Sequence, residues 1–117
     1  MPDYRNYEAF KRAHQLTLAV YASTRNFPAE ERYGLVSQLR RAAVSVPSNL
    51  AEGSGRGSDK DFARFVRISI GSINELEYGL RLSHDLGFLH TDKHEDLAKL
   101  SANTRRTLVG LKRTLTS

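Results

Sequence analysis

Residues Asp59–Leu86, DKDFARFVRISIGSINELEYGLRLSHDL, form the longest uninterrupted periodic stretch of the chain. On a helical wheel Phe62, Phe65, Val66, Ser69, Ile73, Leu76, Leu80 and Ser83 share one face. Ile68, Ser72, Gly79, Leu82 and Leu86 share a second, roughly 100° away. Lys60, Arg64, Arg67 and Arg81 occupy a third. One apolar face serves the chain's own core. The second is surplus for a lone protomer, and its simplest cover is another copy of the same chain.

Three further helices flank this one. The first is expected from about Glu8 to Thr24, with Phe10, Ala13, Leu16 or Thr17, Val20 and Tyr21 as its apolar stripe and Asn26-Phe27-Pro28 as its stop. The second is expected from Pro28 to Glu52, with Glu30 and Glu31 favourable to the helix dipole. Pro47 lies inside it and should remove one hydrogen bond and kink the axis without ending it, since Leu39, Ala43, Val46 and Leu50 keep the period. Gly53-Ser54-Gly55-Arg56-Gly57 is read as its left-handed cap and turn. Ser58 or Asp59 caps the third helix and Gly87 stops it. The fourth is expected to begin with Asp92 and Glu95 as a capping pair and to bury Leu97, Leu100, Thr104, Leu108, Leu111 and Leu115. Short connections make neighbours antiparallel. The fold class is therefore all-α, an antiparallel up-down-up-down four-helix bundle in a single domain, residues 1–117, with frayed ends at about 1–6 and 116–117.

The second helix is asymmetric. Leu35, Leu39, Ala42, Val46 and Leu50 make its core stripe, while Gln38, Arg41, Ser45, Asn49 and Glu52 fall within ~80° of one another alongside. Val44, Pro47, Ser48 and Ala51 lie beyond them, small or apolar where a solvated face would carry Lys and Glu. The polar stripe is either an ordinary wet flank or a border between core and interface whose groups need partners. In the second case Arg41 requires a carboxylate, and Glu75 or Glu52 can supply it within or across subunits.

At these positions the chain resembles a known family. Gly34-Leu35, Gln38, Arg40-Arg41-Ala42, Ser45-Val46-Pro47, Asn49-Leu50-Ala51-Glu52-Gly53 and Arg56 are similar to the signature of the four-helix bundle proteins found in intervening sequences of bacterial 23S rRNA genes. Phe62, Phe65, Ile68, Gly71-Ser72 and Glu75 extend the resemblance, which covers about Phe10 to Leu89. Ser69 departs from it, standing where a small apolar residue, usually Ala, is expected. The resemblance implies a four-helix protomer and a ring-shaped homopentamer. A related branch, the accessory protein of diversity-generating retroelements, binds nucleic acid and works with a reverse transcriptase. For the intervening-sequence branch the resemblance implies no established activity and no residue-level binding site.

Composition narrows the remaining chemistry. The chain has 117 residues, no cysteine and a net charge of +5. Disulfides, zinc-thiolate centres and thiol catalysis are excluded. No apolar run approaches the ~18 residues of a membrane span, and the start of the sequence lacks a secretory core, so a cytoplasmic protein is expected. His90 and His94 are four apart beside Glu95, but His90 falls before the helix, so no metal and no cofactor are expected. His14 and His84 are read as bundle-edge residues. Gly53–Gly57 lacks the Lys-Ser or Lys-Thr ending of a phosphate loop and follows a helix instead of a strand. The free amides of the third helix could still assist one phosphate beside Arg56. No serine sits in a nucleophile elbow, and Glu75 and Glu77 lie on different faces, so no enzyme is expected. Tyr21, Tyr33 and Tyr78 are read as packing residues with edge hydroxyls.

Nucleic acid is the partner the charges favour. Lys60, Arg64 and Arg67 line one face of the third helix, with Arg56 just ahead. Lys99, Arg106 and Arg113 repeat every seven residues on the fourth, with Arg105 and Lys112 on the flank toward the core, and Arg105–Ser117 contains no acid. Such stripes track phosphates, and a ring would multiply them. The plain alternative is a solvated face. The basic residues show no helix-turn-helix spacing, no RNA-recognition signature and no aromatic interleaving, so sequence-specific reading is not expected. A homo-oligomer that binds RNA or DNA is the primary expectation. A protein-interaction adaptor docking a nucleic-acid enzyme such as a reverse transcriptase is the alternative.

Overall fold

The face that Phe62, Phe65, Val66, Ser69, Ile73, Leu76, Leu80 and Ser83 were expected to share is buried throughout in the computed structural model, which describes residues 3–117. It belongs to α3 (Asp59–Asp85), preceded by α1 (Glu8–Thr24) and α2 (Leu35–Ser54) and followed by α4 (Thr91–Thr116). At about 1.5 Å per residue, α3 accounts for nearly the whole 43 Å length of the molecule. Each helix packs on its neighbours in sequence, and α1 closes the bundle against α4. This is an up-down-up-down four-helix bundle. Its core divides along the axis. Leu16, Val20, Leu39, Leu76, Leu80 and Leu97 fill the half capped by Phe27 and Phe88. Ala9, Ala13, Val46, Leu50, Phe62, Val66, Ile73 and Leu108 fill the other, closed by Tyr7 edge-on to Phe62.

The second helix starts later than the pattern suggested. Ala29–Glu31 form a separate 3-10 turn, and α2 begins only at Leu35, past Gly34 at φ −106°, ψ −107°. Glu31 nevertheless serves the helix start, its Oε1 accepting from the Leu35 amide at 3.2 Å. At the other end α2 continues through Gly53 to Ser54, and its cap, Gly55, has an ordinary φ of −91°. Gly53 is thus a close-packing glycine, not a left-handed cap. A Cβ there would lie 2.6 Å from the Phe65 Cβ. The positive φ in this turn belongs to Gly57, at +88°. Ser58 caps α3 as expected, its Oγ accepting from Asp61 N at 3.1 Å. The Asp92–Glu95 capping pair does not form. His90 is the N-cap residue of α4, and no side chain caps it.

Pro47 sits within α2 and is buried, not on the outer flank. It deprives the Ala43 carbonyl of its intrahelical partner, and α1 supplies another. The Thr17 hydroxyl lies 3.0 Å from Ala43 O while also 2.8 Å from its own Ala13 O. Ser69, the departure from the family pattern, is buried and donates to Val46 O across the α2–α3 seam at 2.8 Å.

Of the ends expected to fray, Met1 and Pro2 lie outside the described residues. Tyr4–Asn6 form a 3-10 turn, and α4 runs to Thr116. Asp3 caps the N-terminal turn, and its hydrogen bonds from Arg5 hold its carboxyl down at about 2. Among the described residues, no helix is long and apolar enough to cross a membrane.

Candidate nucleic-acid interface

Antiparallel packing gathers charge that sequence order disperses. One half of the rod is built from the start of α1, the end of α2, the start of α3 and the end of α4. Residues 3–16, 45–72 and 104–117, which supply it, hold eleven of the 18 Lys and Arg but only five of the 13 Asp and Glu. The rest of the chain is close to neutral.

Within that half the expected residues divide by their partners. Arg56 pairs with Glu52 at 3.1 Å, and Arg64 reaches Asp61 at 3.8 Å. Both guanidinium groups also lie against the buried Phe65 ring, at 4.9 and 4.6 Å from its centroid. These arginines are held in place by an aromatic ring that the linear spacing did not associate with them. Lys60, Arg67 and Arg113 are exposed and Lys112 is half-buried. Among the described residues, none of these four pairs with a carboxylate.

The fourth-helix stripe is less uniform than its spacing. Arg105 turns inward and pairs with Glu77 of α3, and its Nη2 also donates to Asn74 Oδ1 at 3.1 Å. It ties α3 to α4. Arg106 donates to Asn103 Oδ1 at 3.0 Å. Lys99 is exposed but lies in the other half of the rod, on a helix start rich in acids, Asp92, Glu95 and Asp96. Lys112 and Arg113 are at the basic end with Arg64 and Arg67, because α3 and α4 run antiparallel. The α3 amino terminus shares that end.

The polar stripe of α2 also divides. Ser45 Oγ lies 2.8 Å from Ser72 Oγ of α3, and Asn49 Nδ2 donates to Ser45 O and Oγ at 2.8 and 3.0 Å. These groups satisfy one another inside the protomer. Gln38 and Arg41 instead border a groove of about 390 Å³ between α2 and α3, with Glu75, Tyr78, Gly79 and Leu82 on its other side. Arg41 and Glu75 face the same groove without forming an ion pair, and Glu52 is engaged by Arg56.

The second face of α3 is only partly surplus. Gly79 is where α2 comes close, since a Cβ there would meet Leu39 Cδ2 at 2.6 Å, and Leu82 packs against the core. Ile68 and Leu86 remain 42 % and 53 % exposed. Tyr33 and Tyr78 are not packing residues. Tyr33 is 88 % and Tyr78 66 % exposed, and Tyr21 is half out of the core beneath Arg40. The turn that begins α2 at Gly34 leaves Tyr33 off any helix face.

Elsewhere His84 and His94 stack with ring centroids 4.8 Å apart, and His84 Nε2 lies 3.0 Å from Thr91 Oγ1. Among the described residues, no three His, Cys, Asp or Glu side chains converge as metal ligands would.

The model of the 23S rRNA-intervening sequence protein family matches residues 5–110. No curated protein matches the chain. The fold is similar to that in the crystal structure of a protein of unknown function from the S23 ribosomal protein family of Bacteroides thetaiotaomicron VPI-5482. The two are 18 % identical, with 90 % of this chain and 95 % of that one covered and a TM-score of 0.83. At that identity the likeness carries the fold alone.

Proposed function

The chain belongs to the 23S rRNA-intervening sequence protein family, and from that premise we propose that it is a non-catalytic, self-associating bundle of the cytoplasm whose basic end holds RNA or DNA by its phosphates. The observation that carries this reading is the segregation of charge. The half that collects eleven basic side chains leaves Lys60, Arg67, Lys112 and Arg113 without acid partners among the described residues, free to meet phosphate oxygens. Interactions of this kind position a polyanion and carry no base code. Binding is therefore insensitive to sequence and steeply sensitive to salt.

Self-association supplies multiplicity. Ile68 and Tyr78 of α3 and Leu86 at its C-cap are exposed apolar side chains, and Tyr78 borders the α2–α3 groove that Arg41 and Glu75 line without pairing with each other. A second copy laid over Tyr78 and the groove beside it would bury apolar surface and could give Arg41 its carboxylate. A ring of five, as the family resemblance implies, would repeat the basic end around its rim.

Fluorescence anisotropy with labelled duplex and single-stranded RNA and DNA tests the reading. Affinity at low salt that falls linearly on a log–log plot as salt rises supports it. No affinity for any of the four at low salt defeats it. The same exposed apolar side chains also favour a second reading, a docking surface for a protein partner such as a nucleic-acid polymerase, with the arginines as steering charge.

A further inference from the structure

A second concentration of cations lies in the other half of the rod, and its composition differs from that of the basic end. Between α1 and α2 runs a groove of about 580 Å³ bordered by Tyr21, Arg32, Tyr33, Arg40, Arg41 and Val44. Among the described residues, no carboxylate lines it. The α2–α3 groove, by contrast, carries Glu75. Two features of the wall are built. Arg40 lies over the Tyr21 ring with its guanidinium carbon 4.5 Å from the centroid, and its Nε donates to Thr24 Oγ1 at 3.0 Å. Its Nη2 also donates to Tyr21 O at 3.3 Å. Tyr33 stands free at the groove's edge, 88 % exposed, with its aromatic face offered to solvent.

We infer that this groove binds a single-stranded segment of nucleic acid, with an unpaired base stacked on Tyr33 and the adjoining phosphates held by Arg32 and Arg40. The inference rests on the phosphate-binding reading above and extends it to a separate site. An exposed ring beside guanidinium groups is the arrangement that holds unpaired strands, because every base has a face to stack and every linkage has a charge to neutralise. A duplex keeps its base faces covered and gains nothing from Tyr33. A protein laid into the groove would have to desolvate three guanidinium groups and supply carboxylates to match them. A phosphodiester chain supplies that charge along its whole length.

The test uses the full-length protein, fluorescein-labelled single-stranded oligonucleotide and the same sequence as duplex, with Tyr33→Ala and Tyr33→Phe as variants. Tyr33 is too exposed for its removal to unfold the bundle, which far-UV circular dichroism verifies. Tyr33→Ala is expected to weaken single-strand binding about fivefold or more and to leave duplex binding within about twofold of wild type. Tyr33→Phe keeps the ring and should retain single-strand affinity. Single-strand binding unchanged in Tyr33→Ala, or single-strand and duplex binding reduced alike, overturns the inference while leaving phosphate binding at the basic end intact. Absence of binding to either form by the wild type defeats the phosphate reading itself. If Tyr33→Ala changes only the molar mass seen by light scattering, the groove is an interface between protein chains and the inference fails.

Discussion

Pro47 shows how a single residue in α2 makes demands on its neighbours. Its ring leaves the Ala43 carbonyl without an intrahelical donor, and the hydroxyl of Thr17, on α1, reaches that oxygen. Thr17→Val, similar in shape but without a donor, should lower stability by about 1–2 kcal/mol in urea unfolding at fixed protein concentration, and Thr17→Ser should recover most of the loss. The two close-approach glycines are not equivalent. At Gly53 an added methyl meets the Phe65 Cβ, which is anchored to the α3 backbone, whereas at Gly79 it meets only the tip of Leu39. Gly53→Ala is expected to cost about 1–3 kcal/mol by overpacking. Gly79→Ala should cost well under that, since Leu39 can rotate and alanine favours the helix. Equal losses in thermal unfolding would contradict this contrast. The serine pair Ser45–Ser72 and the buried Ser69 further show why hydroxyls occupy the α2–α3 seam. They allow close approach and still satisfy their own polar atoms.

Among the helices, α4 is the one whose sequence pattern is most misleading. Its heptad-spaced cations suggest a continuous binding stripe. Packing assigns Arg105 to Glu77 and Asn74, leaves Lys99 among acids and directs only the final turns to the basic end. Arg67→Glu with Arg113→Glu should therefore weaken duplex and single-strand binding together. The salt slope should become shallower by about 0.9 on duplex DNA and about 0.7 on single strands for each phosphate that the variant no longer neutralises. Arg105→Gln should change affinity much less. The Arg105–Glu77 pair is about one-third exposed, so its removal should cost less than about 1 kcal/mol of stability. A loss of affinity at Arg105 as large as that at Arg67 would mean that the inward-facing pair opens to meet the ligand.

The whole bundle carries a basic end, a near-neutral end, exposed apolar side chains at Ile68, Tyr78 and Leu86 and a groove on either side of α2. Size-exclusion chromatography with light scattering is expected to show a species heavier than the protomer. Ile68→Glu with Tyr78→Glu should reduce it to single chains that remain helical, because both side chains already face solvent in the protomer. Wild-type single chains at micromolar concentration would remove the case for pooled cations. Arg41→Met gives a subtler readout. Unchanged assembly there would mean that Arg41 and Glu75 do not meet across copies.

Periodicity, glycines and prolines sufficed for the four helices and the core faces of α2 and α3, because helical register converts residue spacing directly into facing. The same local rules made the breaks legible to within a few residues. They failed at Gly34 and Gly53, where the outcome depends on what packs against the backbone. The candidate site was less legible for the same reason. Spacing identifies which cations share a helix face. It does not say that Arg105 will find Glu77 on another helix, that Phe65 will hold Arg56 and Arg64, or that Tyr33 and Tyr21 will flank three arginines. Those relations arise when antiparallel helices bring together residues far apart along the chain. Coulomb attraction and aromatic stacking act through space and are indifferent to sequence separation.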